Sequence, residues 1–195
     1  MSADVDPYKF PDLDVLRNKP GIRDARLLQA YEYRASTERM LELAEEPIAG
    51  RFDLDHLKAI HKYAFQDVYD WAGELRSVSI SKGGSLFALP EYIESYGKLV
   101  FGALADDEHL RGKALGVFVD RLAHYHGEIN ALHPFREGNG RSTRVFLDQL
   151  AKQAGYVLDF TRVVADQWNA AARESFAGNG EPMVKLFAHV TRPVR

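Results

Sequence analysis

The chain has 195 residues, 46% apolar and 27% charged, enough for one globular domain with a sizeable core. A net charge of −3 argues against broad nucleic-acid binding, which draws on a basic surface to offset phosphate charge. With no cysteine in the chain, disulfides, thiolate catalysis and cysteine-ligated zinc are excluded.

The first thirty residues carry acids and prolines rather than a basic start and an apolar run, so no secretory signal is visible, and no stretch reads as a membrane span. The expected compartment is the cytoplasm. Residues 1–20, broken by Pro7, Pro11 and Pro20, read either as an irregular arm anchored by Tyr8, Phe10 and Leu16 or as a disordered tail. A helix is predicted over 22–46 and is stopped by Pro47. Asp53 then caps a second, with Leu57, Ile60, Ala64 and Phe65 on its inner face. His61 shares that face, and a lone histidine among apolar neighbours reads as a hydrogen-bonded core group.

The aromatic run from Val68 to Glu74 pins the connection to the next segment. Residues 76–81 alternate in polarity, Lys82-Gly83-Gly84-Ser85 turns, and 86–89 return before Pro90, which predicts a short hairpin. Its uncovered edges serve either as a template for an extended segment of another protein or as a flap packed on the helices. Helices are predicted over 91–105 and 113–131, the second burying Leu115, Phe118, Val119, Leu122, Tyr125 and Ile129. His124 and His126 are two apart and point to different sides of it, unlike the i,i+4 pair of a helical zinc site.

That helix runs into His133-Pro134-Phe135-Arg136-Glu137-Gly138-Asn139-Gly140-Arg141-Ser142-Thr143-Arg144. Pro134 cannot continue the helix, and Phe135 is expected to plug into the core. The next helix follows from the spacing of Phe146, Leu147, Leu150, Ala151 and Ala154, with Gly155 closing it. Arg141, Arg144, Asp148 and Lys152 lie on its polar stripe, so both arginines leave the first turn beside unpaired N–H groups and the positive end of the dipole. Gly138 and Gly140 are expected to take positive φ and form an anion-binding nest that suits triphosphate. Glu137 would repel phosphate unless a divalent ion sat between them, which makes it a candidate Mg²⁺ ligand. His133 is the nearby group able to take a proton near neutral pH. The bland alternative is a tight turn, a capped loop histidine and an i,i+4 pair of Arg144 with Asp148. Beyond the motif, Thr161 is expected to cap a helix through Val164, Trp168, Ala171, Ala172 and Ser175. A last helix covers 183–190, and 192–195 form a short basic end.

The run His133 to Arg144 resembles the signature of the Fic family, His-Pro-Phe-x-Asp/Glu-Gly-Asn-Gly-Arg-x-x-Arg, with every fixed position matched. The resemblance implies an all-α, Fic-type helical bundle with a β-hairpin flap: an arm over 1–20 and a single domain over 21–195, with the flap at 75–90 and the motif loop and helix at 133–155. It implies a compact bacterial protein that moves AMP from ATP to a Tyr, Ser or Thr hydroxyl of a target protein. By that resemblance His133 is the base and Glu137 holds Mg²⁺. Gly138, Asn139, Gly140 and Arg141 bind the α- and β-phosphates, and Arg144 binds the γ-phosphate. Lys82 and Gly83 sit on a flap that registers the target, for which a type II topoisomerase subunit is the family-level expectation. Two other functions stay open: a kinase like the related Doc proteins, which carry lysine where this chain has Gly140, and a non-catalytic interaction module. Fic proteins are commonly restrained by a helix carrying Ser/Thr-x-x-x-Glu-Gly/Asn, whose glutamate pairs with the second motif arginine. Among the glutamates here only Glu137 precedes Gly or Asn, so the expectation is a toxin restrained by a small helical antitoxin that supplies a glutamate to Arg144.

Overall fold

The computed structural model describes residues 6–82 and 85–194. Among the described residues, seven α-helices build the body. Helix α1, Ala25–Glu45, starts where the Asp24 carboxylate accepts from the N–H groups of Arg26 and Leu27, and it ends ahead of Pro47. Helix α2, Leu54–Phe65, is capped by Asp53, which accepts from His56 N–H at 2.8 Å. Leu57, Ile60, Ala64 and Phe65 on its inner face are buried, as their spacing predicts.

A two-stranded antiparallel ribbon follows, β1 at Ser81–Lys82 and β2 at Ser85–Leu86, paired Ser81 to Leu86 and Lys82 to Ser85. It is much shorter than the predicted strands over 76–81 and 86–89. The alternation was real, since Arg76 is buried, Val78 and Ile80 half-buried, and Ser77 and Ser79 exposed. What breaks the ladder is Arg76, whose guanidinium takes the backbone carbonyls for its own hydrogen bonds.

Helix α3, Ile93–Asp106, is entered through a 3₁₀ turn at Pro90–Tyr92. Helix α4 spans Leu115–Leu132 and α5 spans Asn139–Gln153. Five of the six residues predicted for the α4 stripe are buried. Leu115 is the exception at 41% exposure, because it occupies the first position of the helix, ahead of the packed turns. A strand pair absent from the sequence reading joins β3, Tyr156–Leu158, to β4, Thr191–Pro193, so the first two residues of the basic end lie in a strand, while Arg195 falls outside the described residues. Thr161 does not cap a helix. It sits in a 3₁₀ turn held by Asp159, and α6, Ala165–Phe176, begins after Val164. Helix α7 covers Glu181–Val190.

Helix α4 packs against α3, α5, α6 and α7, while α2 bridges α1 and α5. The loop between α4 and α5 therefore leaves the centre of the core. From 6 to 20 the arm lies on the body, with Tyr8, Phe10 and Leu16 packed on the core and Lys19 N–H donating to Val68 C=O at 2.8 Å. No described helix is long and apolar enough to cross a membrane.

Candidate active site

Helix α4 ends at His133, which takes a left-handed conformation (φ 43°, ψ 61°) and turns the chain out of the helix. Its imidazole Nδ1–H donates to the Asn130 carbonyl at 3.2 Å, so any role as a base falls to Nε2. Phe87 stacks on the ring at 3.8 Å between centroids and restricts its rotation. Phe135 is fully buried, as expected, and its backbone N–H and C=O are both bound by the Asn139 side chain at 2.9 and 2.7 Å. Asn139 thus spends its amide bracing the loop.

Those backbone groups are available. No side chain caps α5, and the first intrahelical bond is from Ser142 N–H to Gly138 C=O at 3.1 Å. The N–H groups of Asn139, Gly140 and Arg141 therefore face outward from the dipole's positive end without a described acceptor. Gly138 has the predicted positive φ of 81°, and a Cβ there would stand 2.4 Å from the Phe65 ring. Gly140 does not take positive φ. It is helical, and a Cβ on it would meet nothing within 4 Å, so its contribution is an open approach to the helix end.

Glu137 is exposed, with Oε1 accepting from Gly138 N–H at 2.9 Å and lying 3.6 Å from the Arg141 guanidinium. A hard oxygen ligand at the cavity rim, beside a cradle for phosphate, fits Mg²⁺, which is typically held by one or two carboxylates plus phosphate oxygens and water. The backbone of Glu137 is held from beneath by His61. Gly73 N–H donates to His61 Nδ1 at 2.8 Å, so the proton is on Nε2 and is given to Glu137 C=O at 2.9 Å. Burial pushes the His61 pKa down to about 4, and the ring stacks on Phe135 at 3.8 Å. His61 is thus the satisfied core histidine that its position predicts, spent on holding the motif loop.

The two motif arginines have different surroundings. Arg141 donates to Ser36 Oγ at 2.9 Å and to the Glu32 carboxylate, and it lies 4.7 Å from the Phe65 ring centroid. Glu32 also accepts from the Tyr69 hydroxyl, and burial raises the pKa of Tyr69. Arg144 has no carboxylate partner among the described residues and lies 5.9 Å from the Trp168 ring. Burial, then the charge of Arg141, lowers its pKa. The Arg144–Asp148 pair of the bland reading is absent, because Asp148 pairs with Lys152 at 2.8 Å. Below Arg144 lies buried His126. Its Nδ1 has no described partner, and burial, then the Arg144 charge, pushes its pKa down to about 4.

These groups open onto one cavity of about 690 Å³, lined by His133, Glu137, the Gly138–Arg141 turn, Arg144, the flap residues Ile80 and Phe87, and the α6 residues Trp168, Asn169 and Arg173. The volume suits a nucleotide-sized ligand. Lys82 lies in β1, and Gly83 falls outside the described residues. The sequence reading missed Arg76, Glu32, Tyr69 and the α6 wall. Glu32 and Ser36 carried a signal, being polar positions one turn apart on a helix that must bury one side.

The sequence profile of the Fic/DOC family matches residues 51–151, and the chain belongs to that family. It is 46% identical over 181 residues to the protein adenylyltransferase VbhT of Bartonella schoenbuchensis, of whose length it spans 38%. It is 38% identical to the Escherichia coli "Probable protein adenylyltransferase Fic", with 95% of this chain and 92% of that protein aligned. Among solved structures it is similar to the N-terminal Fic domain of a VirB-translocated effector of Bartonella quintana with bound ADP, at 28% identity and a TM-score of 0.92, covering 96% of this chain and 95% of that one. BepC of Bartonella tribocorum, solved with AMPPNP, superposes at 27% identity and a TM-score of 0.90, covering 96% and 97%.

Proposed function

We propose that the chain is a protein adenylyltransferase that moves AMP from ATP to a Tyr, Ser or Thr hydroxyl of a target protein and releases pyrophosphate. The observation that carries this reading is the placing of His133 on one cavity with the exposed backbone donors of the α5 N-terminus, its Nδ1–H held by Asn130 C=O so that the role of base falls to Nε2. The relatives named protein adenylyltransferases support it.

In the reaction His133 Nε2 takes the hydroxyl proton as the target oxygen attacks the α-phosphorus. The bond from that phosphorus to the bridging oxygen breaks, and pyrophosphate leaves with the electron pair. The N–H groups of Asn139, Gly140 and Arg141 meet negative charge on the non-bridging oxygens. Arg141, already aimed by Glu32 and Ser36, binds the β-phosphate, and Arg144 takes the γ-phosphate. Glu137 holds Mg²⁺, which when bound neutralises polyphosphate charge. The target lies along the flap and adds its backbone to the β1–β2 edge, which places its hydroxyl over His133.

Arg144 also gives the site its control. A partly buried cation without a described carboxylate partner is a receptor for one, so a glutamate brought by a small helical antitoxin excludes the γ-phosphate by occupying the same guanidinium. On this reading the chain alone is an active toxin. A type II topoisomerase subunit is the target class first to be tried.

The deciding experiment labels a bacterial lysate with α-labelled ATP and identifies the modified band by mass spectrometry. An added AMP supports the assignment, whereas an added phosphate, or no labelled protein, refutes it. Co-expression with the neighbouring small open reading frame tests the brake. Toxicity relieved by the partner and restored by removing its glutamate is expected, and harmless accumulation of the chain alone overturns it.

A further inference from the structure

Arg76 is 2% exposed, the largest of the fully buried side chains, and it belongs to no catalytic or phosphate-binding role assigned above. Its guanidinium has no carboxylate partner among the described residues. Every described acceptor is a backbone carbonyl: Nε–H donates to His133 C=O at 2.8 Å, one terminal nitrogen to Val78 C=O at 2.7 Å and the other to Ala88 C=O at 2.5 Å. Its own backbone N–H donates to Pro134 C=O at 2.9 Å. One residue thus holds two consecutive carbonyls of the motif loop and both feet of the flap, since Val78 precedes β1 and Ala88 follows β2.

A guanidinium out of water without a counter-charge costs stability unless its donors are well spent, and burial lowers the pKa of Arg76 accordingly. An apolar side chain would fill the same space without that cost, so packing alone does not account for the residue. What an apolar side chain lacks is the planar fork, which fixes three acceptors at set angles at once. The acceptor on Nε is the carbonyl of the base itself, at a residue whose left-handed backbone is strained.

We propose that Arg76 is a positioning residue for adenylyl transfer: its guanidinium sets the backbone of His133 and couples it to both ends of the flap, so that the surface that registers the target and the base that deprotonates it move as one body. This rests on the adenylyltransferase reading for its kinetic consequence, but not for its geometry. Arg76 touches neither nucleotide nor target. Its loss therefore acts on kcat and leaves ATP binding intact, and a misplacement of the base by about 1 Å is worth roughly 10²-fold.

The test begins with the unaltered chain. By NMR the Arg76 Nε–H should exchange with solvent far more slowly than that of the exposed Arg34, and it should show coupling through its hydrogen bond to the His133 carbonyl carbon. Exchange at the exposed rate overturns the proposal without any variant. In Arg76→Met, kcat should fall roughly 10²-fold, with ATP affinity and its KM within about twofold of the parent. Arg76→Lys, which keeps the charge but not the fork, should recover only part of the loss, and the His133 ring-nitrogen shifts should move in both. Unchanged kcat and unchanged shifts refute the proposal, as does full recovery by lysine. If the parent transfers no AMP while the His133 shifts still respond to Arg76, the positioning stands and the adenylyltransferase assignment is what fails.

Discussion

Replacing His126 by phenylalanine should remove about half of the chain's sensitivity to mild acid. His126 is buried between Trp168 and Phe187, whose rings approach it edge-on at 5.1 and 5.8 Å, and its Nδ1 has no described partner. Burial, then the Arg144 charge, pushes its pKa down to about 4 from an ordinary 6.5, and burial does the same to His61. A folded value below the unfolded one means that protons favour the unfolded chain between the two. Stability is therefore full above pH 6.5 and is lost as the pH falls towards 4. Each tenfold in acidity is about 1.4 kcal/mol, so at pH 5 the linkage amounts to about 2 kcal/mol for each histidine, or about 4 kcal/mol together. That is a large share of a typical domain stability of about 5–15 kcal/mol. In His126→Phe no described hydrogen bond is lost and an orphaned polar atom is removed, so stability at pH 7 should stay level or rise. The drop from pH 7 to pH 5 should shrink to about 2 kcal/mol. Urea unfolding followed by circular dichroism at the two pH values measures this directly. An equal drop in parent and variant would refute the assignment of a neutral, desolvated His126, whatever the variant does to absolute stability.

Other expectations follow from the same geometry. His133→Ala should lower transfer ~10²–10⁴-fold while ATP still binds, measured by labelled-AMP transfer beside a binding titration; loss of ATP binding counts against the base role. Glu137→Ala should weaken ATP binding only when Mg²⁺ is present and cost no more than about 1 kcal/mol of stability, because His61 bonds its backbone and the exposed carboxylate accepts only from Gly138 N–H. Calorimetric titrations with and without the metal read this. Gly138→Ala should cost about 1–3 kcal/mol, since its Cβ would meet the Phe65 ring at 2.4 Å on a left-handed backbone. Gly140→Ala should melt no lower, and up to ~1 kcal/mol higher, yet bind ATP more weakly, because the methyl stands where phosphate approaches the helix end.

How much of this was legible in the sequence depended on whether a residue's role is local. Asp53 sits where a helix start needs an acceptor, and the inner faces of α2, α4 and α5 follow from period alone, whereas the predicted start at 22 passed over the cap at Asp24. The motif loop was readable because its parts are contiguous. Arg76 was not, since its partners lie at 78, 88 and 133, and a charged residue at the head of an alternating run gives no sign that it points inward. Strand β4 was missed for a related reason: three residues of mixed polarity pair with β3 only because α7 returns the chain there. Gly138 and Gly140 look alike in sequence and differ in the fold, one required by the Phe65 ring, 73 positions upstream, the other by nothing but the cavity.

The sharpest contrast is between two residues that a motif treats as a pair. Arg141 and Arg144 leave the same face of α5, yet α1 supplies Glu32 and Ser36 to the first, while α6 offers the second an aromatic ring. The carboxylate partner keeps Arg141 oriented whether or not a ligand is bound, at the cost of part of its attraction for phosphate. Arg144 keeps its attraction because no described residue uses it, and desolvation makes any anion that reaches it bind more strongly. A site meant to be switched needs its responsive charge to be the one without an internal partner. On the proposed reading ATP and an inhibitory carboxylate would compete for Arg144, while Arg141 would keep its aim whichever of them wins.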